Sequence, residues 1–322
     1  MTKIAVVGTG AMGSLYAGLL GDAGNEVWGI DVWEEHVDAI AERGLRVSGA
    51  SGDRVVRINA TTDASEVGEV DVVIIATKAF HVHDAVQTAR ALLGPDTVVI
   101  PIQNGLGSAE AVVDLLGEAR VVIGVVGGFG SSIVKPGHVL HQGLGLVRLG
   151  ESTGPATARL ERIATLWRDA GFTVKTYDDI DQLVWEKLIC NVAFSGTCAL
   201  LELTIGEVLG DPNAWQVAAG CAQEAYDVGL ASGIQLEIRD PVGYVADFGA
   251  KIPGARPSTL LDLMNGNPCE IDVINGAIPP RARPLGLAAP FNEVVTALVK
   301  ARQAVLLADR QQDAVPAGSD GV

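Results

Sequence analysis

The chain has 322 residues, 48% of them hydrophobic, and carries a formal net charge of −16. That length supports two domains and a sizeable core, and that composition excludes a mostly disordered chain. The 23 basic residues form no run, which excludes a nucleic-acid grip and argues against an anionic membrane surface; an anionic small molecule needs only two or three local donors and stays open.

The N-terminus reads as a short apolar strand, Lys3 to Val7, running directly into Gly8-Thr9-Gly10-Ala11-Met12-Gly13 and then a helix to about Ala23. In a strand–turn–helix setting the three glycines have separate uses. Gly8 allows the tight turn, Gly10 lets the backbone approach a pyrophosphate, and Gly13 lets the helix pack close to the sheet. The free N–H groups of the helix then face the phosphates, so this turn is expected to bind a dinucleotide. A second strand, Glu26 to Ile30, ends at Asp31, eighteen residues after Gly13. A carboxylate there accepts from the ribose hydroxyls and repels a 2′-phosphate, so NAD is expected and NADP is less favoured. Asp31 is also placed to cap the helix that follows.

Apolar runs at 71–76, 98–102 and 121–125 alternate with helical stretches at 85–93 and 109–116. This is the pattern of a doubly wound, mostly parallel sheet in an α/β domain. Thr77-Lys78 and Gln103-Asn104-Gly105 follow two of these strands, at the carboxyl ends where open α/β sheets take ligands. Residues 137–141 and 144–150 read as an antiparallel extension, 156–170 as a helix and 172–176 as a last strand. His81-x-His83 and His138-x-x-His141 come without a third ligand at suitable spacing, and no metal is expected.

From residue 177 the character changes to long helical patterns. The division expected is 1–176 for the dinucleotide-binding domain, 177–310 for an all-helical substrate and dimerisation domain, and 311–322 for a flexible tail of small and polar residues. The helix Leu183 to Leu201 is apolar over most of its circumference, yet Lys187, Asn191 and Ser195 share one face at i, i+4 and i+8. A lysine on a buried helix is costly without compensation, so the stripe reads as the wall of a cleft. Further on, Ser258 and Glu270 are candidates for a carboxylate-binding hydroxyl and for an acid set against Lys187, while Asp272 and Asn275 read equally well as surface charge and capping.

The four cysteines, at 190, 198, 221 and 269, form no Cys-x-x-Cys pair and suit buried thiols in a reducing cytoplasm. The first residues form a strand instead of a signal peptide, and no apolar run is expected to reach the length of about 18 residues of a membrane span. The cytoplasm is the expected location, with no membrane or nucleic-acid partner.

Five segments together resemble the ketopantoate reductase (2-dehydropantoate 2-reductase) family. They are Gly8 to Gly13, Thr77-Lys78-Ala79, Gln103 to Gly107, Trp185-Glu-Lys187-Leu-x-x-Asn191, and Ser258 to Asp262 followed by Glu270 to Gly276. The resemblance implies a Rossmann domain plus a helical domain of the 6-phosphogluconate-dehydrogenase-like kind, with the active site between them. It implies Lys187 as general acid toward the nascent alkoxide, Glu270 beside it, and Asn104 and Asn191 orienting substrate and nicotinamide. It also implies Ser258 on the substrate carboxylate and Lys78 lining the cleft. The chain departs from the family's pattern twice. It has Asp31 where a base usually holds the NADP 2′-phosphate, and Ser195 where the family tends to have an Asn that holds the substrate's hydroxyl end. The expected activity is therefore NAD-dependent hydride transfer on a small 2-hydroxy or 2-oxo acid or related secondary alcohol. The alternatives are 2-dehydropantoate reduction in pantothenate biosynthesis and a non-catalytic NAD sensor. A homodimer is expected from the Ala- and Leu-rich helical half.

Overall fold

A computed structural model describes residues 1–128, 130–143 and 145–313, without the side chains of 309 and 311–313. Twelve strands and twelve α-helices fall in these residues. The strands are β1 (Lys3–Val7), β2 (Glu26–Ile30), β3 (Leu45–Gly49), β4 (Arg54–Val56), β5 (Asn59–Thr61), β6 (Val70–Ile75), β7 (Leu93–Pro101), β8 (Val122–Gly127), β9 (Gly130–Lys135), β10 (His138–Gly143), β11 (Leu146–Glu151) and β12 (Thr173–Tyr177). The helices are α1 (Ala11–Asp22), α2 (Glu34–Arg43), α3 (Val82–Arg90), α4 (Ser108–Leu116), α5 (Ala158–Asp169), α6 (Ile180–Leu201), α7 (Ile205–Gly210), α8 (Pro212–Ala231), α9 (Pro241–Lys251), α10 (Ser258–Met264), α11 (Ile278–Ala282) and α12 (Pro290–Asp313). The chain forms two compact units, one of Met1–Gln103 with Gly107–Ile180, the other of Asn104–Leu106 with Asp181–Val322.

The first unit is the α/β half. Its main sheet has the order β5-β2-β1-β6-β7, with every neighbour parallel. Strand β1 lies in the middle with Ile4, Ala5 and Val6 fully buried, as expected for a strand covered on both faces. Two smaller sheets complete the unit, β4-β3-β10-β9 and β12-β11-β8. An aromatic cluster ties helices to them, Trp167 of α5 meeting Tyr16 of α1 edge-on at 5.2 Å and Phe172 at 4.9 Å.

Some sequence expectations for this unit need correction. The run at 121–125 does not extend the parallel sheet. It forms β8, which pairs antiparallel with β11 and is linked to the main sheet by a single parallel bridge, Val99–Val121. The segments at 137–141 and 144–150 do not form one antiparallel extension either; β10 pairs with β3 and β9, and β11 with β8 and β12. Strands β3, β4, β5 and β9 have no counterpart among the elements expected from the sequence.

The second unit has no strand among its described residues. Its core is α6, with Leu188, Ile189, Val192, Ala193 and Phe194 all at most 2% exposed, packed with Ala218, Cys221, Ala222 and Ala225 of α8. The small residues of α8 allow close helix approach. Helix α6 also overturns one expectation: by length and composition it could cross a membrane, but two thirds of that stretch is buried inside the protein, as in the core helix of a globular domain. Helix α12 runs on to Asp313, three residues into the stretch expected to be a tail; residues 314–322 lie outside the described residues.

Asn275 is a structural residue. It is fully buried, and its Nδ2 donates to Val192 O at 2.8 Å and to Asn292 Oδ1 at 3.0 Å. Asn292 in turn donates to Cys221 O, and Glu224 accepts from the backbone N–H groups of Phe291 and Asn292, so a carboxylate on α8 caps α12. Asp272 makes a surface ion pair with Lys300 at 2.7 Å. Asn292→Ala removes the side-chain hydrogen bonds to Asn275, Cys221 O and Glu224, and chemical denaturation is expected to show a loss of about 2–4 kcal/mol.

Candidate active site

The glycine-rich turn belongs to the first unit. A Cβ on Gly13 would sit 1.9 Å from Gly8 O, and one on Gly8 would sit 2.7 Å from the Thr77 N, so neither position accepts a side chain. Gly8 also has φ +92°, which favours glycine. Gly10 differs: no atom lies within 4 Å of where its Cβ would be. Packing inside the protein does not require that glycine, whereas a ligand approaching the backbone would. Gly10 is the N-cap of α1, no side chain caps the helix, and its first turn has no acid. The N–H groups of this end are therefore open to an anion. Nearby, the Thr77 hydroxyl and the Gln103 Oε1 are buried without a hydrogen-bond partner among the described residues. Gln103 Nε2 ties the ends of the two central strands, donating to Ile75 O at 2.7 Å and Thr77 O at 3.1 Å. Met12 Sδ accepts from the Ser131 hydroxyl, and Lys78 is half-buried just before α3.

Asp31 stands where β2 ends. Its Oδ2 accepts from Thr9 N at 2.6 Å and from the Thr9 hydroxyl at 3.3 Å; its Oδ1 accepts from Trp33 N at 3.1 Å. The carboxylate thus orders both the glycine-rich turn and the turn into α2, and it still has lone pairs for ribose hydroxyls. This arrangement fits a dinucleotide: bare helix N–H groups for the diphosphate and an anchored acid for the sugar.

Two residues here were missed from the sequence. His36 on α2 is fully buried, and Ser14 on α1 is fully buried beside it. His36 Nδ1 accepts from Gly137 N at 3.2 Å, and its Nε2 meets Ser14 Oγ at 3.0 Å. Trp33 stacks on the imidazole at 4.9 Å between centroids. Burial holds this imidazole below its ordinary pKa against the pull of the Asp31 carboxylate. Nothing in the local sequence separates His36 from a surface residue of an amphipathic helix.

The second unit holds Lys187, half-buried on α6. Its Nζ donates to Asn104 Oδ1 at 2.7 Å. Asn104 comes from the three-residue segment that belongs to this unit, and Leu106 N binds Val273 O at 2.9 Å to seat it. Gly105 makes this possible, with φ +82° and a would-be Cβ only 2.1 Å from Val273 O. Glu270 is buried in the same unit at 7% exposure. Asn191 is half-buried and Ser195 is 4% exposed, one and two turns along α6 from Lys187; Ser258 is exposed at the first residue of α10. The structure joins Lys187 to Asn104. Of the second histidine pair, His138 Nε2 bonds Ser48 Oγ and His141 Nε2 bonds Gly143 O.

The sequence profile described as "Ketopantoate reductase PanE/ApbA" matches residues 4–154, and its C-terminal counterpart matches residues 179–303. The chain belongs to the ketopantoate reductase family. It is 31% identical over 304 residues to a 2-dehydropantoate 2-reductase of Streptococcus pyogenes serotype M3, covering 94% of this chain and 98% of that protein. It is 30% identical over 299 residues to one from Archaeoglobus fulgidus, covering 92% and 97%. Among solved structures it is similar to a PanE/ApbA family ketopantoate reductase from Ralstonia eutropha JMP134, with a TM-score of 0.87 and 31% identity over 94% of this chain and 99% of that one. It is similar to the same degree, at 29% identity over 94% and 99%, to D-mandelate dehydrogenase in a ternary structure with NADH and anilino(oxo)acetate, with a TM-score of 0.87. The protein is an oxidoreductase acting on CH–OH groups, with a Rossmann-type α/β half and a helical half.

Proposed function

We propose that the protein transfers a hydride between NAD and a small 2-hydroxy or 2-oxo acid, with the first unit holding the dinucleotide and the second the substrate. The observation that carries the chemistry is the Lys187–Asn104 hydrogen bond: a lysine on an otherwise apolar core helix, with its ammonium aimed by an amide from a distant segment. A bound nicotinamide supplies or accepts the hydride. Lys187 gives a proton to the alkoxide oxygen during reduction and takes it back during oxidation, while Asn104 fixes where the ammonium points. Glu270 is the acid that balances that charge, Asn191 orients the reacting groups, and Ser258 receives the substrate carboxylate. Gly8, Thr9, Gly10, Ala11, Met12, Gly13, Thr77, Lys78 and Asn104 line the cofactor side of this reading.

The choice of NAD rests on Asp31, and the NADH bound by the D-mandelate dehydrogenase neighbour supports it. That neighbour also supports a 2-hydroxy acid other than pantoate. Ser195 points the same way, because a hydroxyl does not reach as far as the amide common in the family. Reduction of 2-dehydropantoate with NADH is the second reading, supported by the names of the curated relatives. The cytoplasm is the proposed location, since all four cysteines are free and buried and burial pushes Cys190 and Cys198 up to about 12.

We also propose a homodimer built on α12. Phe291, Val294, Leu298 and Val305 are 37–61% exposed, and with exposed Ala301 and Ala308 they follow the alternating three–four spacing of a coiled-coil seam. Phe291, Val294 and Leu298 border an apolar groove of about 480 Å³ together with Leu200, Leu201 and Val217. Three charges of this helix are paired inside the chain: Glu293 with Arg283, Lys300 with Asp272 and Arg302 with Glu202. An uncharged, self-complementary strip on a molecule of charge −16 suits a second copy of itself.

Steady-state turnover on a panel of 2-oxo acids, 2-dehydropantoate included, with NADH and NADPH side by side, tests the reading as a whole. NADH is expected to be preferred, and Asp31→Arg is expected to shift the ratio toward NADPH by about 10- to 100-fold, the worth of a charge-assisted hydrogen bond. Equal use of both cofactors by the unmodified enzyme overturns the assignment to Asp31.

Lys187→Ala is expected to lower kcat by about 10²–10⁴-fold with cofactor affinity nearly unchanged. Lys187→Arg should restore little, because a guanidinium keeps its proton. Near-normal turnover of the alanine variant removes Lys187 from the mechanism.

In sedimentation the unmodified protein should run as a dimer at micromolar concentration. Leu298→Glu, which places a charge in the middle of the seam, should run as a monomer. A monomeric unmodified protein rules the seam out.

A further inference from the structure

The hydrogen bonds around Ser14 have one consistent assignment. Ser14 Oγ donates its proton to Thr9 O at 2.6 Å, so it can only accept from His36 Nε2, at 3.0 Å. The imidazole is therefore the neutral Nε2–H tautomer, with Nδ1 accepting from Gly137 N at 3.2 Å. Both ring nitrogens are used, and Trp33 covers one face. The chain of bonds ends on the Thr9 carbonyl, and the Thr9–Gly10 peptide that contains this carbonyl also contains the Gly10 N–H. In a trans peptide the two groups point in opposite directions, so fixing Thr9 O fixes Gly10 N–H. Asp31 holds the preceding peptide through Thr9 N at 2.6 Å. Gly10 is the glycine of the turn with open space around it.

We propose that His36 and Ser14 are positioning residues for the dinucleotide: they hold the Thr9–Gly10 peptide so that its N–H meets the diphosphate, without touching the ligand themselves. The inference rests on the reading of this turn as the cofactor site. An amide donor bound to an anion is strongly directional, and the helix end carries no capping side chain that could take over the role. The side chains of Ser14 and His36 are fully buried, and among the described residues their hydrogen bonds run only to Thr9, to Gly137 and to each other.

The test is titration of the full-length protein with NADH and with ADP-ribose, together with KM and kcat for NADH. Ser14→Ala is expected to weaken binding of both ligands about three- to tenfold, with KM raised by the same factor and kcat at saturation unchanged. His36→Asn keeps the acceptor for Gly137 N but cannot reach Ser14, and it should weaken binding to the same extent. The double variant should be no worse than either single one, as for two members of one relay. His36→Gln places an amide donor near the position of Nε2 and should bind nearly as the unmodified protein does. Unmodified affinity in Ser14→Ala overturns the proposal, and so do additive losses in the double variant. If His36→Asn does not fold, the Ser14→Ala affinity decides alone, since a serine-to-alanine change inside a helix leaves the packing intact. Failure of the unmodified protein to bind either NADH or NADPH overturns the cofactor reading and the relay with it. Binding by the unmodified protein with Ser14→Ala unaffected overturns the relay only.

Discussion

The second unit is organised around an ammonium on an apolar helix. Lys187 sits on α6, whose other faces are filled by Leu188, Ile189, Val192 and Phe194. A charge in that setting needs a polar partner, and the partner comes from 83 residues earlier in the chain. The demand propagates. Asn104 can reach Lys187 only if residues 104–106 run tight against Val273, which requires Gly105 in a left-handed conformation and the Leu106 N–H on Val273 O. Val273 follows Glu270 by three residues, so the segment carrying the buried acid is held in place by the same contact. One half-buried lysine thus ties together a glycine, an asparagine and a backbone hydrogen bond that otherwise look unrelated.

The parts legible in the sequence were those written locally. The β1–turn–α1–β2 unit could be read because its apolar run, its three glycines and its terminal acid lie within about thirty residues and each has a steric or electrostatic use. Helix α6 could be read because a polar stripe on an apolar helix has a fixed spacing. Strands β3, β4, β5 and β9 could not. They are three to six residues long and carry Arg46, Arg54 and Lys135; β3 and β5 pair with β10 and β2, far along the chain, whereas β4 and β9 fold back on their neighbours β3 and β10 in segments too short or too polar to stand out. The same holds for β8: its apolar sequence suits a parallel or an antiparallel neighbour equally, and only the position of β11 decides. Asn275, Asn292 and Glu224 look like surface polar residues in sequence but form a buried network, because polarity alone does not say where a hydrogen-bond partner lies. Within the candidate site, the residue types could be chosen from sequence, and the Lys187–Asn104 and Thr9–Asp31 bonds could not.

In the proposed dimer, helix α12 would serve two surfaces. Val295 and Val299 face the core of its own unit, and Asn292 anchors the helix to α8. Phe291, Val294, Leu298 and Val305 remain 37–61% exposed on the same helix. Exposed apolar side chains at a period of 3.5 residues have a cost in water that only a partner removes. The ion pairs along the rim neutralise the charges that would otherwise oppose a second acidic molecule.

The same acidity bears on how the first unit can hold an anion. At a net charge of −16 the long-range field repels a diphosphate, and the turn at Gly8–Gly13 has no lysine or arginine in its sequence to reverse this locally. Within the turn itself, attraction comes from dipoles at contact distance: the N–H groups at the start of α1 and the helix dipole behind them. Dipoles fall off faster with distance than charges and are sensitive to angle, so a small rotation of one peptide plane loses what a mobile lysine side chain would recover by moving. A site built this way must be rigid. The Thr9–Gly10 peptide meets that condition, with Thr9 N held by Asp31 and Thr9 O held by Ser14. His36 completes the arrangement because it is neutral: a protonated ring would present a donor to the Gly137 N–H, and burial keeps the proton off. In the proposed site, the buried imidazole on α2 and the bare glycine on the turn both serve to hold an anion on a turn that carries no cation of its own.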